Sequence, residues 1–171
     1  MEAVGFALNK KKAHLSDLES PSFSQKEIFQ IFKMKRFLLP NAGANLKNTQ
    51  VAIALSIAEC QKLGVQDFTV VVGTKENFES TEIGKLLGNT AKNLAKGDAV
   101  AVDSQGHKVQ LESLATIQKL HTARVVIALH LSADHIQKLD ELPIDVLIFV
   151  PWSETEGNTW AAKCAAETIE A

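Results

Sequence analysis

The chain is poor in the features that most directly announce a function. It holds two cysteines, Cys60 and Cys164, both on the apolar side of expected helices, where a thiol packs as a small hydrophobe. They point to a reducing, cytoplasmic setting, and a core of this size needs neither disulfide nor metal to hold it. Long hydrophobic runs are missing. Nothing approaches the roughly 20 apolar residues of a membrane span. Residues 4–8 are too short for a secretory hydrophobic region and have no basic residue before them. No membrane partner is expected. Basic clusters are scarce as well: 18 lysines and arginines face 20 acids, for a net charge of −2. Apart from Lys10, Lys11 and Lys12 the cations are spread along the chain. A nucleic-acid footprint is normally a clustered basic surface, so no nucleic-acid partner is expected.

What the chain does have is rhythm. Apolar runs at 68–72, 99–102, 125–129 and 146–150, with a fainter one at 37–39, sit between stretches of helical periodicity. Continuous β-branched runs are how strands buried on both faces read, and parallel strands need crossover helices between them. With 171 residues, 46 per cent of them hydrophobic, the expectation is a single α/β domain over 1–171, with 1–23 as a less ordered arm or added element. The fold class that follows is a three-layer α/β/α sandwich around a mainly parallel five-stranded sheet, Rossmann-like or flavodoxin-like in order. A short hairpin is expected near 99–111, where Asp103, Ser104, Gln105 and Gly106 make a turn.

Helices are expected at 24–35, 46–63, 80–96, 112–121, around Ile136 and Leu139, and at 155–169. Ser24 with Glu27 forms a capping-box pattern, Ser80 and Ser132 read as N-caps, and Gly64 and Gly97 close their helices. The helix at 46–63 is apolar nearly all round, which predicts burial on most of its surface, by this chain or by a second copy. A homodimer is therefore one expected partner.

In open parallel sheets ligands bind outside the carboxyl ends of the strands. Five loops qualify on this reading: 41–45, 73–77, 103–106, 130–134 and 152–156. Gly73, Thr74 and Lys75 supply the backbone amides, hydroxyl and cation that grip a phosphate, though the Walker order is absent. Asn41 and Gly43 offer a loop before a helix, with too few glycines for a dinucleotide fingerprint. His130, His135 and Asp134 lack a zinc spacing, so no metal is expected. Asp103, His130 and Ser104 or Ser153 make the only hydrolytic set that can be drawn, without a nucleophile elbow. Trp152 follows Pro151 at a strand end, placed to lid the core or stack on a planar ligand.

Residues 37–74 also resemble, in part, the opening βαβ unit of the pyruvate kinase C-terminal domain-like family. The likeness lies in Pro40, Asn48-Thr49 before an alanine-rich helix, Leu63-Gly64-Val65, and Gly73-Thr74. It implies a phosphate or effector pocket at Thr74 and Lys75, covers under a quarter of the chain, and is not followed by the later strands. The functional expectation is a domain that binds a small anionic or nucleotide-like ligand through Asn41, Gly43, Gly73, Thr74, Lys75, His130 and Trp152. A homo-oligomeric interaction protein without catalysis is the alternative, and a small hydrolase or transferase the second. Whether the chain is an enzyme, and which cofactor it would use, stay open at this point.

Overall fold

Each central strand sends successive side chains into two different cores. The structure, a computed structural model, describes residues 34–40, 43–116 and 122–170, within one compact unit spanning 33–171. Among the described residues seven strands form one sheet: β1 (Lys35–Leu38), β2 (Asp67–Val72), β3 (Val100–Ala101), β4 (Lys108–Ser113), β5 (Val125–Leu129), β6 (Val146–Val150) and β7 (Glu167–Thr168). Their order is β3-β4-β2-β5-β6-β1-β7. Among the described residues only the β3–β4 pair is antiparallel. Val70, Val125, Ile127, Leu129, Ile148 and Val150 enter one buried cluster, while Val71, Val126, Ala128, Leu147 and Phe149 enter the other. The first is completed by Ala52 and Cys60 of α1 (Leu46–Leu63), Ile83 of α2 (Glu82–Leu87) and Leu94 of α3 (Ala91–Lys96). The second holds Ile136 and Leu139 of α4 (Ala133–Asp140) and Trp160 of α5 (Glu154–Cys164). The chain is thus mixed α/β with a mostly parallel sheet covered on both faces, and no helix among the described residues is long and apolar enough to cross a membrane.

Several expectations are corrected. The sheet has seven strands among the described residues, not five. Residues 108–113 form a full strand parallel to β2, so Glu112 lies in β4 and does not start a helix. The last helix stops at Cys164 because Ala165 takes the left-handed conformation (φ 52°), turning residues 167–168 back as β7. The expected helix at 80–96 is broken at Gly88 (φ 55°, ψ −126°), and its cap is Thr81, whose Oγ1 accepts from Gly84 N at 3.2 Å. Lys35 lies in β1, while the rest of the expected helix at 24–35, Met34 apart, falls outside the described residues. In both the Rossmann-like and flavodoxin-like orders the first strand lies beside the second. Here β5 and β6 lie between β1 and β2, so α1 crosses the sheet diagonally and packs on β5, β6 and β2.

The inner face of α1 is not the one its apolar residues suggest. Asn48, Thr49, Ala52, Ser56, Glu59 and Cys60 are buried, whereas Val51, Ile53, Leu55 and Ile57 are partly exposed and Leu46 and Ala54 exposed. Small inward side chains let a helix lie close to the strands it crosses. The polar ones are satisfied locally: Thr49 Oγ1 donates to Asn45 O at 3.0 Å, Ser56 Oγ to Ala52 O at 2.9 Å, and Asn48 Nδ2 to Pro40 O at 2.5 Å.

Gly84 sits where α2 meets the turn at Phe78–Ser80. A Cβ there would lie 2.2 Å from Phe78 O and 2.8 Å from Glu79 Cα, both backbone. Glycine to alanine inside a helix ordinarily stabilises by about 1 kcal/mol; Gly84→Ala is expected instead to destabilise by about 1–3 kcal/mol through overpacking. Urea unfolding compares it with Gly73→Ala, whose Cβ meets nothing within 4 Å. Equal midpoints for the two variants would contradict the close approach.

Candidate functional site

Because β5 and β6 pair in register from Val125↔Val146 to Leu129↔Val150, the loops that follow them leave the sheet side by side. His130 N–H donates to Val150 O at 2.8 Å, the last rung of that ladder. Beyond it the His130 backbone takes φ 53°, a left-handed conformation uncommon in non-glycine residues, among which asparagine, aspartate and histidine adopt it most. This turns the imidazole against Trp152, ring centroids 4.9 Å apart in an edge-on arrangement at 82°. The loop after β1 joins them, since Gly43 (φ 81°) donates its N–H to Trp152 O at 2.8 Å. Gly43, His130 and Trp152 are therefore gathered at one carboxyl edge.

Next to this group lies a hollow of about 380 Å³ lined by Ala44, Leu46, Glu82, Lys85 and Leu86. Glu82 is buried, in the first turn of α2, with Lys85 Nζ at 3.8 Å from its carboxylate. His130 Nε2 is buried without a hydrogen-bond partner among the described residues. Burial lowers the His130 pKa below its ordinary value, opposed by the Glu82 carboxylate, which raises it. The imidazole is neutral near pH 7.

Gly73 and Thr74 are exposed after β2. Lys75 Nζ lies 3.4 Å from Glu112 on β4, and Glu112 also accepts a short hydrogen bond from Thr116 Oγ1. Asn41 lies outside the described residues. The 103–106 loop does not belong to this edge. With β3 antiparallel to β4, its turn falls at the opposite end of the sheet, where Asp103 holds the buried His107 at 2.6 Å. Asp103 and His130 are thereby kept apart, and the hydrolytic set drawn from them is not assembled. Ser153 caps α5, its Oγ accepting from Glu156 N at 3.3 Å. His135 Nδ1 turns back to Ser132 Oγ at 2.8 Å. No three His, Cys, Asp or Glu side chains converge as a metal site among the described residues. Burial pushes the Cys60 thiol pKa up to about 11, which disfavours the thiolate that nucleophilic attack requires.

No protein-family model, curated protein or solved structure matches the chain. The site's own chemistry must carry the reading. Two larger hollows, of about 480 and 500 Å³, exist elsewhere, but their most buried polar groups are already engaged. In one, Asp140 accepts from Arg36, Trp160 and Cys164; in the other, Glu59 accepts from Lys35 and Lys62. Among the described residues the carboxyl edge is where a buried side-chain polar atom stays unmatched. Leu46 and Glu82 are its residues that sequence reading missed. Glu82 reads there as an ordinary acid in a helix first turn, and Leu46 as one more apolar residue of α1.

The depressed His130 pKa gives a pH dependence of defined sign. The unfolded chain takes up this proton more readily than the folded one, so stability is complete above the unfolded value near 6.5 and declines as pH falls toward the folded pKa. A side-chain NMR titration should place the His130 midpoint below 6.5. In His130→Asn, which keeps a side chain tolerant of the left-handed backbone, the acid loss of thermal stability should shrink. A midpoint at or above the ordinary value would overturn this account of the site.

Proposed function

We propose that the chain is a small-molecule-binding domain that takes a nucleotide-like or anionic ligand at the carboxyl edge of its parallel sheet, across the loops carrying Gly43, Gly73–Lys75, His130 and Trp152. The observation that carries the reading is the buried, unpartnered Nε2 of His130 beside the half-exposed Trp152. A buried donor or acceptor without a partner costs about 1–3 kcal/mol, which a ligand's hydrogen bond would recover. The paired clusters on the two faces of the sheet support reading the architecture as a three-layer α/β/α sandwich, in which this edge is the customary ligand position.

Trp152 supplies the readout, being 55% exposed while the second tryptophan, Trp160, is buried. A panel of nucleotides and phosphorylated metabolites should contain at least one member that raises Tm and quenches the exposed indole. His130→Asn should weaken that ligand by about 3- to 10-fold, the worth of one hydrogen bond. A panel that moves neither Tm nor fluorescence rejects the proposal.

A homodimer through α1 is the second reading, favoured by the partly exposed Val51, Ile53 and Ile57 around the exposed Ala54. Light scattering should then give twice the chain mass, reverting to one chain mass in Ala54→Arg. A concentration-independent monomer in the unsubstituted protein ends this reading.

A further inference from the structure

Resting on that binding reading, we propose that the group seated at the carboxyl edge is a planar nitrogen heterocycle of the nucleobase type, held by its ring face and its hydrogen-bonding edge, and not a phosphate. The two large hydrophobic side chains most exposed among the described residues are Leu46, at 47%, and Trp152, at 55%. Both belong to this edge, on segments tied together by the Gly43 N–H to Trp152 O bond. Exposed apolar side chains at one edge of a sheet, with a few polar groups beside them, are what a flat ring with a polar rim complements.

The polar groups have the matching character. His130 Nε2 is buried and unmatched, and Glu82 presents a buried carboxylate to the adjoining hollow. A carboxylate accepts from ring N–H or amino groups and repels phosphate, while a neutral imidazole can pair with either a donor or an acceptor on a heterocycle edge. The devices that would seize a phosphate are engaged. Lys75 faces Glu112 at 3.4 Å and Lys85 faces Glu82 at 3.8 Å. At the start of α1, the N–H groups of Lys47 and Asn48 already donate to the Asn45 side chain.

The test compares adenosine, guanosine, cytidine and uridine with two base-free probes, ribose 5-phosphate and inorganic pyrophosphate, on the full chain, read by His130 imidazole resonances and indole fluorescence. At least one nucleoside should shift the His130 resonances, with Kd raised ~5- to 150-fold in Trp152→Ala, the range of a lost base–aromatic stack. Base-free probes that shift His130 as strongly as any nucleoside, or a nucleoside Kd unmoved by Trp152→Ala, overturn the heterocycle and leave the binding reading standing. If neither class moves either probe while the phosphorylated-metabolite panel also fails, the binding reading falls with it.

Discussion

The pairing of β5 with β6 is the constraint to which the rest of the molecule answers. All ten residues of the two strands are buried, so each must find apolar neighbours on both sides of the sheet, and helices are required on both. Since the two strands match residue for residue from Val125↔Val146 to Leu129↔Val150, neither chain can slip by one position without sending every side chain into the opposite core. The registry that fixes the core also fixes the exits. His130 and Pro151 leave the sheet at the same level, and the His130 amide closes on Val150 O.

The position of β1 adds a second demand. With β5 and β6 between β1 and β2, α1 has to traverse two strands to connect them, and it can lie flat only if its contact face is narrow. That face is built from Ala52, Ser56, Cys60 and short polar groups that bond back to the helix's own carbonyls or the adjoining loop. Glu59 is the exception in size and charge. Burial would raise its pKa, yet hydrogen bonds from Lys35, at the start of β1, and Lys62, in the helix's last turn, lower it on balance. A buried carboxylate clasped by two lysines that reach solvent keeps its charge hydrated at second hand, and it ties the helix to the strand that begins the crossover.

This inward polarity explains where the sequence misled. Strand runs such as Val125–Leu129 and Val146–Val150 were legible because burial on both faces leaves an uninterrupted apolar signature. The wheel of α1 was not, because its valines and isoleucines flank the contact while small and polar residues make it. Local signals also failed at the sheet's ends. Ala165 adopts a left-handed cap that glycine would have advertised, and β4 alternates buried and exposed residues in a stretch expected to turn into a helix. Loop membership depended on strand direction, which is why Asp103 was grouped with residues that lie at the other end. His130, Trp152 and Gly43 were recoverable from their place after strands; Glu82 was not, since nothing in sequence separates a buried first-turn acid from a solvated one.

Three unfavourable features coincide at the carboxyl edge. A left-handed conformation in a non-glycine residue costs about 1–2 kcal/mol, an unmatched buried ring nitrogen about 1–3 kcal/mol, and large apolar side chains are left in water at Leu46 and Trp152. Each has an evident local remedy: a glycine or asparagine at position 130 would relax the backbone, and shorter or polar side chains at 46 and 152 would remove the exposed apolar surface. Elsewhere in the described residues α1, α2 and α5 are capped by the side chains of Asn45, Thr81 and Ser153, and the one other left-handed non-glycine residue is Ala165, at the end of α5. The coincidence of all three features at one edge is what supports the proposal that the sequence serves something besides stability there. In a parallel sheet whose two central strands end there together, that place is also the one the architecture leaves open to a ligand.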